Sequence, residues 1–142
     1  MTITLIIPRL PESGNKTRKY SGWKRQEYRD LWHEEVIVAC YRLRADSLPR
    51  VCPIWSEELR DILGLPWPKV KVTITLYFPD KRKRDEDNMR QGLKPCVDGL
   101  VNAGIIEDDE WYPHQKCRME PLVGKYDKEN PRTVIEVEEI KE

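Results

Sequence analysis

Nine consecutive residues constrain this chain more than any other stretch. Val70, Val72, Ile74, Leu76 and Phe78 alternate with Lys71, Thr73, Thr75 and Tyr77 without a fault. A period of two on β-branched and aromatic residues is the pattern of a strand with one buried face. Pro79 ends it, because proline cannot donate to a sheet ladder. Such a strand needs neighbours, and the remaining sequence has to supply them.

Ile3, Leu5 and Ile7 alternate with Thr4 and Ile6 and predict a first strand, stopped by Pro8. Pro8 to Tyr20 is a loop rich in Pro, Gly, Asn and Ser that carries Lys16, Arg18 and Lys19. It reads either as a solvated tether or as a segment that reaches a phosphate backbone. From Gly22 onwards Tyr28, Trp32, Val36, Ala39 and Leu43 recur at spacings of 4, 4, 3 and 4, which predicts a long helix with one buried face. His33 beside that stripe lacks a second ligand at helical spacing and reads as structural. Pro49, Pro53, Pro66 and Pro68 mark a connector, in which Ser56 can cap a short helix from Glu57 to Leu63 and Gly64 can stop it.

A second main helix is predicted from a cap at Asp87 or Asn88 to Ala103, with Gly104 as its stop and Leu93, Val97, Leu100 and Val101 buried. Pro95 does not fit a continuous helix and predicts a kink, or a true start near Lys94. Gln115 to Glu120 and Thr133 to Ile140 read as a final strand pair across a polar turn containing Gly124, Asn130 and Pro131. The expected class is α+β, a single small domain over residues 1–142 with a mixed β-sheet packed against two main helices.

Composition narrows the function classes. Twenty-five basic and twenty-five acidic residues cancel, so nucleic-acid binding requires a local basic patch. Cys40, Cys52, Cys96 and Cys117 have no C-x-x-C pairing and read as small buried hydrophobes. The absence of a signal-peptide pattern and of a long apolar run predicts a cytoplasmic protein with no membrane partner.

The local patch is present. Lys81, Arg82, Lys83 and Arg84 run straight into Asp85 and Asp87, and Glu107, Asp108, Asp109 and Glu110 follow about one helix later. In an extended segment Asp85 and Asp87 emerge on the same side. With Asp108 or Asp109 they form an oxygen-only donor set suited to Mg²⁺, or Mn²⁺, rather than zinc. Asp87, Gln91, Lys94 and Asp98 fall at spacings of 4, 3 and 4 on one polar stripe. A metal beside four cations suits phosphodiester hydrolysis, with Lys94 a point charge for the transition state. The structural alternative is concrete: Asp87 a helix cap, Lys94 paired with Asp98, Asp108 and Asp109 turn residues.

Phe78 to Asn88, then Lys94, Asp98-Gly99-Leu100 and Ala103 to Asp109, closely resemble the RusA family of Holliday-junction resolvases over about a third of the chain. The resemblance implies a Mg²⁺-dependent endonuclease that cuts four-way DNA junctions by paired symmetric nicks as a homodimer. It implies metal binding by Asp85, Asp87 and Asp109 with Asp108 assisting, and a catalytic lysine. Direct alignment puts that lysine at Gln91, whereas counting back from Asp98 puts Lys94 in register after an insertion of nearly one helical turn. Lys81, Arg82, Lys83 and Arg84, with Lys16, Arg18 and Lys19, are the expected DNA contacts. A non-catalytic junction-binding module and a small-nucleotide phosphohydrolase are the alternatives, the latter without a glycine-rich phosphate loop.

Overall fold

The computed structural model describes residues 1–42 and 57–141. Leu43, Cys52, the cap at Ser56 and the prolines at 49 and 53 lie outside the described residues. The nine-residue alternation forms β2 (Val70–Phe78), whose Val70, Val72, Ile74 and Leu76 are buried while the intervening residues are half-buried. On one side it pairs antiparallel with β5 (Arg132–Glu139), and β5 pairs antiparallel with β1 (Thr2–Ile7). Registers set Ile74 opposite Ile135, and Ile135 opposite Leu5. The apolar residues of three strands therefore share one face, the condition that specifies register when a single face is buried.

Two segments occupy the other side of β2, both parallel to it: β3 (Cys117–Met119) along Val70–Val72 and β4 (Val123–Tyr126) along Thr75–Phe78. This corrects the expected final hairpin. β2 lies between β3 and β5, and part of the expected polar turn, including Gly124, is strand β4. All four β4 residues are exposed, so no alternation marked it. It forms because the backbone of β2 needs partners along that edge.

The buried face of the sheet shares one core with α2 (Gly22–Arg42), through Tyr28, Trp32, Val36, Ala39 and Cys40. Against α2 packs the last of four further helices: α1 (Gly14–Thr17), α3 (Glu57–Leu63), α4 (Glu86–Gly92) and α5 (Lys94–Asn102). The second main helix is thus two helices. Pro95 sits in the first turn of α5, where its missing N–H costs nothing, so the true start near Lys94 is the alternative observed. Gly104, at φ +74°, stops α5, and Gly64, at φ +71°, stops α3. The cap of α4 is Asp85, not Asp87 or Asn88: its side chain accepts from the Asp87 amide at 2.9 Å.

Candidate active site

Four elements bring the charged residues together, and local chemistry fixes each. After β2, Asp80 gathers the basic run. It accepts from the Arg82 amide at 3.0 Å and pairs with Arg84 at 2.8 Å, and these donors hold its carboxyl below the usual range. Arg84 also lies 4.0 Å from the centre of the Phe78 ring, so it braces the turn as well as carrying charge. Lys81 sits over Tyr126 at 5.1 Å. Lys83 has no ion-pair partner among the described residues. The cations of the run are therefore unequal: among the described residues Lys81 and Lys83 have no carboxylate partner, whereas Arg82 and Arg84 are tied to Asp80.

Asp85 is extended, but Asp87 already belongs to the first turn of α4. The same-side argument holds along a strand and fails across a strand-to-helix transition. Asp87 lines a cleft of about 500 Å³ together with Gln91, Lys94 and Asp109, floored by Leu93, Val97 and Met119. Asp85 lines the neighbouring grooves instead, beside Arg84.

Asp109 reaches the cleft because Trp67 and Ile106 form a parallel bridge, with Glu107 N–H donating to the Trp67 carbonyl at 3.0 Å. The loop beyond is pinned by Lys116 to Glu107 at 2.9 Å and by the His114 amide to Glu110 at 2.8 Å. Partial burial, then the neighbouring carboxyls of Asp98 and Asp108, push the Asp109 carboxyl above its ordinary range. Asp98 is the residue that sequence reasoning did not assign to the site. Its signal was its place on the polar stripe with Asp87 and Lys94, read there only as a partner for Lys94. No such pair forms among the described residues.

The two lysine-position candidates differ in their surroundings. Gln91 is pressed against α1: a Cβ on Gly14 would lie 2.2 Å from its Oε1. Lys94 is exposed, and its ammonium has no hydrogen bond or ion pair among the described residues. Both border the cleft. The N-terminal loop is clamped over this junction. Tyr28 Oη accepts from the Glu12 amide at 3.0 Å and donates to the Gly92 carbonyl at 2.8 Å, and Asn88 Oδ1 accepts from the Asn15 amide at 2.7 Å. Of the cations expected in that loop, Lys16 pairs with Glu12 at 3.2 Å, and Arg18 is exposed and donates to the Gly14 carbonyl, also at 3.2 Å. Lys19 is exposed.

No group of three or more His, Cys, Asp or Glu side chains among the described residues converges closely enough to enclose a metal. Asp87 and Asp109 nevertheless share one cleft, and the Asp109 carboxyl is crowded by acids without a counter-charge. That donor set fits a hard dication that keeps waters and takes one or two carboxylates.

Fold and cleft define a class: a small α+β protein whose acidic, lysine-bordered site is equipped to handle phosphodiesters. No family model matches the chain. It is 31% identical over 108 residues to the RusA crossover junction endodeoxyribonuclease of Escherichia coli K12, covering 76% of this chain and 74% of that protein. The same figures hold for the RusA protein of Escherichia coli O1:K1. Enterobacteria phage HK97 has a crossover junction endodeoxyribonuclease that is 39% identical over 44 residues, 31% of this chain and 34% of that one. The chain belongs to the RusA family. Among the described residues no helix is long and apolar enough to cross a membrane.

Proposed function

We propose that this protein is a Mg²⁺-dependent endodeoxyribonuclease that resolves four-way DNA junctions by paired symmetric nicks, acting as a homodimer. The observation that carries the reading is the cleft in which Asp87, Asp109 and Lys94 meet, within a chain whose relatives are named crossover junction endodeoxyribonucleases. Asp87 and Asp109 would hold the ion. The family resemblance adds Asp85, whose Oδ1 caps α4 and whose second oxygen has no hydrogen-bond partner among the described residues. Asp108 and Asp98 flank Asp109 and keep the cleft anionic. When bound, Mg²⁺ lowers the pKa of a water and polarises the phosphoryl oxygen.

The remaining chemistry belongs to side chains of this chain. Lys94 offers an uncommitted ammonium to the negative charge that grows on the phosphate oxygens. Lys81 and Lys83 attract the backbone, and the Asp80 clamp on Arg82 and Arg84 holds the run, whose Arg82, Lys83 and Arg84 line a groove with Asp85. Pairing two such sites about a two-fold axis matches the near two-fold symmetry of a four-way junction.

The test is nicking of a synthetic four-way junction, a flap and a linear duplex, with and without Mg²⁺. Asp85→Asn, Asp87→Asn and Asp109→Asn should each abolish junction cleavage while binding persists, and Lys94→Ala should damage cleavage more than Gln91→Ala. Carboxylate variants that cleave like wild type would end the metal-site reading. A second reading, a junction-binding module without catalysis, draws on the structural use of Asp85 as the cap of α4. It predicts wild-type binding with no nicking under any divalent ion.

A further inference from the structure

A second cleft, of about 470 Å³, lies on the other side of the Gln91 and Lys94 wall. Three elements converge on it: Arg18 from the segment after α1, Arg25 and Arg29 from α2, and Lys94 from the start of α5. Arg25 and Arg29 are one helical turn apart and so present to the same side. Asp98 is the one carboxylate in the lining. Arg18 and Arg25 donate only to neutral acceptors, the Gly14 and Arg18 carbonyls, each at 3.2 Å, and the Asn15 side chain. None of the four cations is ion-paired with a carboxylate among the described residues.

Four cations facing one acid is a strong local excess in a chain of formal net charge zero. Like charges held around one cleft repel, and an anion with several oxygens relieves that repulsion, as guanidinium forks do with phosphate. Gln91 and Lys94 line both clefts, so the cationic one opens beside the acidic one. We propose that the Arg18, Arg25, Arg29 and Lys94 cleft is a phosphate-binding groove that holds the backbone of the DNA strand flanking the cleaved bond. The proposal rests on the nuclease reading and adds Arg25 and Arg29 to its machinery. These arginines are backbone-positioning residues: they fix register without reading sequence.

The experiment is fluorescence anisotropy with labelled four-way junction and linear duplex, in EDTA, from about 50 to 200 mM salt. Removing one phosphate-binding cation should reduce the magnitude of the slope of log K against log salt by about 0.9. The Arg25→Ala/Arg29→Ala double variant is expected to show at least that reduction on both DNAs and to weaken binding tenfold or more. Arg42→Ala, on the same helix but lining a different groove beside Thr4 and Arg132, should leave the slope unchanged. Arg25→Gln/Arg29→Gln keeps side-chain length without charge and repeats the measurement if the alanine variant fails to fold. An unchanged slope and affinity, or an equal reduction in Arg42→Ala, overturns the groove. A wild type that binds junction DNA but does not nick it with Mg²⁺ overturns the nuclease reading, and the arginine slopes then still decide the groove.

Discussion

Gly92 is the residue whose substitution follows most directly from the geometry. It ends α4, and the N-terminal loop crosses so close to it that a Cβ would lie 1.6 Å from the Glu12 carbonyl oxygen. An ordinary carbon–oxygen contact is about 3.3 Å, so in Gly92→Ala the loop has to retreat by roughly 1.7 Å. That displacement breaks the bond from Glu12 N–H to Tyr28 Oη, while the bond from Tyr28 Oη to the Gly92 carbonyl does not involve the loop. Leaving that part-buried amide without its partner costs about 1–3 kcal/mol. Replacing glycine recovers about 0.5–1 kcal/mol of backbone entropy, so the net cost centres on about 1.2 kcal/mol. At 142 residues the unfolding entropy is about 0.3 kcal/mol/K, and the melting temperature should fall by about 4 °C. Differential scanning calorimetry on the purified variant measures this, and Tyr28→Phe, which removes the same bond without a clash, should fall alongside it. A Gly92→Ala protein that melts at or above wild type would refute the reasoning. A fall in Tyr28→Phe alone would show that the loop absorbs the methyl group without losing that bond.

Three further outcomes follow from other contacts. Burial and the Asp98 carboxyl raise the Asp109 pKa, so the folded state binds that proton more tightly than the unfolded chain does. Stability then falls as pH rises from the ordinary value near 3.9 through the raised one and stays lower above it. Asp109→Asn should therefore melt higher than wild type at pH 7 in EDTA, by less than about 1 kcal/mol because the group is largely exposed, with no gain at pH 3; a loss at pH 7 would contradict the sign. Arg60 donates to the carbonyls of Ala103 and Gly104 at 3.2 and 3.1 Å, closing the end of α5. Arg60→Ala should cost about 1–3 kcal/mol in urea titrations. Burial pushes the Cys40 thiol up to about 12 and the Cys117 thiol up to about 11, and Cys96 is raised further. Mass spectrometry after iodoacetamide at pH 8 should find these three cysteines unmodified in the native protein and alkylated in urea.

Elements with one buried face and one wet face could be read from the sequence alone. The faultless alternation of Val70 to Phe78, the helical stripe from Tyr28 to Ala39 and the Leu63–Gly64 stop all appear where their periods and turn residues put them. A side chain's burial repeats with the geometry of its own element, so such a pattern is local. The family motif is local too, and it pointed to Asp85, Asp87, Lys94, Asp108 and Asp109, of which Asp87, Lys94 and Asp109 line one cleft. Tertiary structure decided what no local period encodes. β4 has four exposed residues and exists because β2 offers it an edge, and β2 separates two strands that are successive in the apolar pattern. Asp85 and Asp87 part because a helix begins between them, so a spacing that is same-sided in a strand turns through about 200° in a helix. The Asp98–Asp109 contact and the meeting of Arg18, Arg25, Arg29 and Lys94 depend on how α5 docks against α2 and on the loop beyond Ile106. Their charges are plain in the sequence, but their convergence is a long-range property of packing.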